Sequence, residues 1–378
     1  MKIVIASDSY KGSLSSKRVG DTIKEAFLES IPTADINVVP IGDGGEGTVE
    51  ALIDATSGKI IDLVVESPLR KPAKSSYGIS GDGKTAFIEM ASASGINLVA
   101  ATDRNPLIST TYGTGEMILD SLNKGVEKII IGIGGSATND GGIGMANTLG
   151  VKFLDDSGTP IEPNNKGIEN LHQIDMSSLD IRLKDVEIIV ACDVNNPLTG
   201  KNGASYIYGP QKGANKAMVE IMDKNLEKLA LIISRDINKD VDNIPGAGAA
   251  GGLGAGLLAF LDGKLESGID IVLDYLDFDK TIENADLIIT GEGCLDHQTV
   301  MNKAPIGVAR RAKRQNIKVI GISAVFGNEV DVVLDNGIDA IFSIMNQVID
   351  LEEAVKNTSE NLYLTAKNIS NLIKISTI

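Results

Sequence analysis

Four stretches of this chain combine glycine with residues that can bind anions, hold a cation or move a proton. Asp8-Ser9-Tyr10-Lys11-Gly12-Ser13 puts an acid, hydroxyls and an ammonium just ahead of a helical pattern. The free N–H groups and partial positive charge of a helix N-terminus suit phosphate there, although Ser13 or Ser15 could simply cap the helix and leave Lys11 solvated. Gly42-Asp43-Gly44-Gly45-Glu46-Gly47 carries two carboxylates among four glycines. Such a loop lets a ligand approach the backbone, and its acids can hold a hard divalent cation or accept a hydroxyl proton; alternatively it is a tight turn whose acids face the next helix. Gly132-Ile133-Gly134-Gly135-Ser136-Ala137-Thr138-Asn139-Asp140-Gly141-Gly142 offers many N–H donors and small polar groups around one charge, the composition of an anion cradle. Gly291-Glu292-Gly293-Cys294-Leu295-Asp296-His297-Gln298-Thr299, with Lys303 beyond it, brings acids and an ammonium within a dozen residues, as a metal–phosphate site or a surface ion pair would.

The elements that must position these loops follow from periodicity. Short β-branched runs alternate with amphipathic stretches of helical length, which predicts parallel sheets covered by helices. A strand at 2–6 leads to a helix at 16–29 with Val19, Ile23, Ala26 and Phe27 on one face. A strand at 36–41 leads to a helix from about 48 to 55. The same order recurs at 285–290 and 304–314, followed by a strand at 318–324. Between these ends, 60–66, 74–79 and 85–90 read as strands without helical length between them, which predicts antiparallel pairing. A helix at 114–123, a strand at 128–133, a hairpin turn at 155–158, a strand at 187–192 and a long helix at 215–235 follow. The reading is therefore two α/β domains. One is a Rossmann-like doubly wound parallel sheet built from both chain ends (1–72 and 281–378), and the other is a mixed-sheet α/β domain inserted in it (73–280).

Composition narrows the function classes. Thirty-five basic against 51 acidic residues give a charge of -16, a poor match for nucleic acid or an anionic membrane. No apolar run approaches the ~18 residues of a bilayer span, and no export signal is visible, so a cytoplasmic protein is expected. Two cysteines, Cys192 and Cys294, and two histidines, His172 and His297, are too few and too dispersed for a zinc site. Gly246-Ala247-Gly248-Ala249-Ala250-Gly251 matches the dinucleotide fingerprint G-x-G-x-x-G, but a polar, proline-bearing segment precedes it where a strand is needed. A nicotinamide dehydrogenase is disfavoured on that ground, and neither a Walker loop, the protein-kinase motifs nor G-x-S-x-G occurs.

Seven segments together resemble the bacterial glycerate kinases: residues 8–13, 40–47, 132–142, 191–198, 209–214, 246–252 and 290–293. The likeness runs in family order from the first strand to about residue 345, with one departure, Asn302 before Lys303 where the family usually has glycine. The resemblance implies ATP- and Mg²⁺-dependent phosphorylation of D-glycerate to 2-phosphoglycerate, in the cleft between two α/β domains. Transfer to the 3-hydroxyl, or a non-catalytic two-lobed small-acid binding protein, are the alternatives, and a homodimer is allowed for. Phosphoryl transfer needs alignment, charge on the phosphates and a base near the acceptor hydroxyl. Asp43 or Asp8 is then the base or director of that hydroxyl, with Lys11 among the catalytic residues. Arg104 can clamp the substrate carboxylate, although an exposed surface arginine would look the same, and Glu46, Ser136, Asn139 and Asp140 complete the substrate set. Gly44, Gly45, Gly134, Gly135, Lys212, Gly291, Gly293 and Lys303 are expected around the phosphates, and Asp193 and Glu292 on the metal.

Overall fold

The computed structural model of the chain describes residues 1–42, 48–301 and 303–376. They pack as two compact units, Met1–Ala55 with Ser267–Ile378, and Thr56–Glu266.

The first unit is built on a five-stranded, wholly parallel sheet in the order Ala340–Ser343, Lys318–Ser323, Leu287–Thr290, Lys2–Ile5, Asp35–Val38. Ile3, Val4 and Ile5 are fully buried, as expected for a strand covered on both faces. From Lys2–Ile5 the chain moves to one side of the sheet, and from Leu287–Thr290 to the other, so the order reverses between these two neighbours. Loops at such a switch point form the usual ligand crevice of an open α/β sheet. Here they are residues 8–13 and 291–299. The helix Ser16–Ser30 is capped by Ser15, which accepts the Arg18 N–H, and buries Val19, Ile23, Ala26 and Phe27 as their spacing requires. The helix Ala304–Arg314 starts at Lys303 with Pro305 in its first turn, a position where the missing N–H costs nothing.

The second unit holds a six-stranded mixed sheet in the order Lys264–Glu266, Glu187–Ala191, Lys128–Gly132, Thr85–Glu89, Pro72–Ile79, Lys59–Glu66. The first four strands are parallel to one another, and the last two add antiparallel, in line with the missing helices between them. Lys59–Glu66 pairs with Pro72–Ile79 from Lys59↔Ile79 to Glu66↔Pro72, so a domain crossing near residue 72 would cut a hairpin. The crossings fall at 55/56 and 266/267 instead of near 72 and 280. At the second, the short helices after residue 267 belong to the first unit. There the buried Arg311 of the helix Ala304–Arg314 pairs with Asp270, Asp274 and Asp279. The turn at 155–158 is closed by the Asp155 carboxylate and brings Leu154 antiparallel to Pro160, as a hairpin requires, while Lys152–Leu154 also pairs with Gln173–Asp175.

The segment that mimics a dinucleotide fingerprint has a packing role. It opens the helix Ala249–Leu261 with left-handed residues at 250–252, and a Cβ on Gly251 would lie 2.0 Å from the Thr138 carbonyl oxygen. Its glycines let this helix start press against the 132–142 loop.

Candidate active site

In the first unit, loop 8–13 is tied to loop 291–299 by the Asp8 N–H, which donates to the Gly291 carbonyl at 2.9 Å, and by the Ser7 hydroxyl, which donates to the same oxygen at 3.0 Å. Asp8 is buried, and its carboxylate accepts the Ser9 N–H at 2.6 Å. The Tyr10 hydroxyl donates to the Ile322 carbonyl, and burial, then the neighbouring Glu292, pushes its phenol far above the ordinary range. Tyr10 therefore holds the loop as a neutral strut. Glu292 is nearly buried; one oxygen accepts from the Thr299 hydroxyl at 2.7 Å and the other meets the Lys303 ammonium at 3.2 Å. A Cβ on Gly291 would come 1.8 Å from the Ile322 carbonyl oxygen, so strand packing alone requires glycine there. At Gly293 the nearest atom would be 3.7 Å away.

A cavity of about 360 Å³ is lined by Asp8, Lys11, Glu292, Gly293 and Lys303 together with residues 324, 325, 344, 345, 351, 354 and 355. Lys11 also lines a second cavity of about 420 Å³, with Lys17, Glu50 and Asp54. Lys11 is exposed, so its ammonium is available to a ligand in either.

The second unit organises its loop differently. Lys212 is almost wholly buried, donating to the Ser136 hydroxyl at 2.6 Å and to the Thr138 carbonyl at 2.7 Å. Burial pulls its ammonium down to about 7, while the charge of Asp140 acts in the opposite sense. Asp140 is fully enclosed: one oxygen accepts the N–H (2.7 Å) and hydroxyl (2.8 Å) of Thr111 and the Gly144 N–H, and the other accepts the Gly142 N–H. Desolvation raises its carboxyl against the pull of those donors. Asn139 is equally buried and takes the Asn165 amide and Ser205 hydroxyl on its oxygen, while its own amide nitrogen has no hydrogen-bond partner among the described residues. Arg104 runs beside Lys212: a Cβ on Gly213, whose φ is +96°, would meet the Arg104 carbonyl oxygen at 2.7 Å. The Arg104 Nε is buried without a hydrogen-bond partner among the described residues. Gly134 and Gly135 are exposed, and nothing lies within 4 Å of a Cβ on Gly134. Asp193 is exposed two residues past the strand Glu187–Ala191.

Known proteins match this arrangement along its whole length. A model of the glycerate kinase family matches residues 3–374. The chain belongs to the glycerate kinase family. It is 53% identical over 376 residues to the Bacillus cereus protein named glycerate kinase, covering 100% of this chain and 99% of that one. It is 51% identical to the Escherichia coli protein named glycerate 2-kinase, covering 99% and 98%. A solved structure from Salmonella typhimurium LT2, assigned as a glycerate kinase 2, superposes with a TM-score of 0.92 at 49% identity, covering 100% and 99% of the two chains.

Within the family frame, Asp8, Lys11, Gly291, Glu292, Gly293 and Lys303 come together in one unit, and Arg104, Ser136, Asn139, Asp140 and Lys212 in the other. Lys212, expected as phosphate charge, is buried and donates to Ser136 and Thr138. Asp140, expected on the substrate, accepts from Thr111, Gly142 and Gly144 within the protein. Asp43, Gly44, Gly45 and Glu46 lie outside the described residues, as do Gly47 and Asn302. Among the described residues no group of three or more His, Cys, Asp or Glu side chains is placed to hold a metal ion, and Asp193 and Glu292 belong to different units. Sequence reasoning missed Thr299 and Thr111, which orient Glu292 and Asp140. The Thr110-Thr111 pair ahead of a helix was a usable signal; an isolated threonine after Gln298 was not. The aliphatic lining of the 360 Å³ cavity was missed as well, because such residues read as core.

Proposed function

We propose that the chain is an ATP-dependent glycerate kinase that converts D-glycerate to 2-phosphoglycerate in the cytoplasm. The observation that carries this reading is the full-length likeness to a protein named glycerate 2-kinase at 51% identity. The chemistry of the loops supports it. Lys11 and Lys303 supply charge to the phosphates beside the first turns of two helices, and Glu292 orients Lys303 through their ion pair. Asp8, or Asp43, accepts the proton of the acceptor hydroxyl as its oxygen bonds to the γ-phosphorus and the bond to the ADP oxygen breaks. Arg104 pairs with the substrate carboxylate, which would satisfy its buried Nε. The Gly134 and Gly135 backbone approaches the ligand, with Ser136 held in place by Lys212.

Mg²⁺ would supply charge neutralisation on the phosphates. The carboxylates of Asp193 and Glu292 have the hard oxygen chemistry it prefers, the latter beside the Lys303 ammonium. Incubating the chain with ATP, Mg²⁺ and D-glycerate and following phosphorus NMR tests the whole reading. The expected product is 2-phosphoglycerate. Formation of 3-phosphoglycerate would overturn the assigned hydroxyl, and no phosphoglycerate at all would overturn the activity.

A further inference from the structure

Resting on that kinase reading, we infer that the aliphatic lining of the 360 Å³ cavity receives the nucleobase of the phosphoryl donor, and that it holds the base without reading its identity. The cavity lining combines two chemistries. Lys11 and Lys303 are among its charged groups, and Val325, Ile344, Met345, Leu351 and Val355 among its apolar ones. Val325 is 42% exposed, Leu351 80% and Val355 38%, so these three side chains lie open in a lining that also includes Lys11 and Lys303. A nucleotide matches both chemistries, with anionic phosphates and a flat, largely apolar ring. Glycerate has no apolar body to offer, and about 360 Å³ exceeds its needs but lies in the usual range for larger small-molecule ligands.

The wall has little left with which to recognise the edge of a base. The N–H of Val325 donates to the Gly293 carbonyl (3.2 Å), that of Ile344 to the Ser323 carbonyl (3.0 Å), and that of Met345 to the Ser343 hydroxyl (3.2 Å). The Thr358 hydroxyl is directed to the carbonyls of Ala354 and Val355, both at 2.9 Å. Among the described lining residues outside loops 8–13 and 291–303, none carries a charged or amide side chain. A base is then held by burying its faces. Sites built on hydrogen bonds reject a wrong partner by about 10⁴–10⁵-fold, whereas apolar contact discriminates by only about 10–200-fold.

The test uses the full chain with D-glycerate and Mg²⁺ and varies the donor. Values of kcat/KM for ATP, GTP and ITP are expected to agree within roughly 100-fold. Leu351→Asp and Val355→Asp, at side chains that are not core, are each expected to raise the nucleotide KM by ~10-fold or more while the glycerate KM stays. A preference for ATP beyond roughly 100-fold, or an unchanged nucleotide KM in both variants, overturns the proposal. Equilibrium titration with methylanthraniloyl-ATP in the absence of glycerate separates this failure from that of the kinase reading. Weakened binding in both variants of a chain that phosphorylates nothing would remove the activity and keep the base site. Turnover by the wild type with undiminished analogue binding by both variants would remove the base site alone.

Discussion

Loops 8–13 and 291–303 of the first unit and loop 132–142 of the second have similar compositions, glycine with small polar residues and a few charges, yet they are built for opposite ends. In the first unit the two ammonium groups reach outward from buried acids. Lys11 is exposed and Lys303 part-exposed in the lining of a cavity, while Asp8 and Glu292 are buried. In the second unit Ser136, Asn139, Asp140 and Lys212 are all buried and largely bonded to one another's loops. The difference teaches that composition marks a loop as polar but not which way its polarity points. An outward charge costs little stability and is available to a ligand. A buried network rigidifies its loop and becomes expensive to break.

The largest expected effect that would break this contrast is on stability. Asp140→Ala removes the acceptor for the Thr111 N–H and hydroxyl and for the Gly142 and Gly144 N–H groups, and should cost ~3–5 kcal/mol in urea unfolding. A variant that unfolds like the wild type but fails to bind substrate would put Asp140 in the ligand set. Next comes Lys303→Met. It should lower kcat/KM by ~10²–10³-fold with an unfolding midpoint close to wild type, since the lost ion pair is part-exposed. Loss of the fold rather than of rate would make this lysine structural.

The smallest effect sharpens the contrast through pH. Burial lowers Lys212 from 10.5 to about 7, so between these values the unfolded chain binds a proton that the folded chain does not. The stability of the wild type relative to Lys212→Met should therefore rise between pH 7 and pH 8, by at most ~1.4 kcal/mol. A flat difference would mean that the ammonium stays charged in the fold and that Ser136 and Thr138 suffice to hold it.

Much of the architecture was legible because it is local. The 3.6-residue spacing of Val19, Ile23 and Phe27 specified the buried face of Ser16–Ser30, and Asn215 marked the start of Lys216–Ile237, where its side chain accepts the Met218 N–H. The absence of helical length between residues 60 and 90 foretold the antiparallel edge. The crossing at 55/56 was harder to see, because nothing in the composition around residue 72 says which sheet the preceding strand joins. The strand Ala340–Ser343 and the aliphatic wall beyond it escaped notice for a related reason: Leu351 and Val355 are the same residue types whether they fill a core or line a cavity.

Residue type and order by themselves determined the α/β class, the loops that carry the polar chemistry and, through seven ordered segments, the family. Those properties depend on near neighbours along the chain, where periodicity and loop chemistry are written directly. Only the tertiary structure decided that Lys212 and Asp140 face inward, that Gly251 serves packing, and that Lys11 and Lys303 share a cavity with an apolar wall. Burial and the direction of a charge depend on groups distant in sequence. The Lys212 ammonium, for example, lies against a hydroxyl 76 residues away, and no local pattern encodes that meeting.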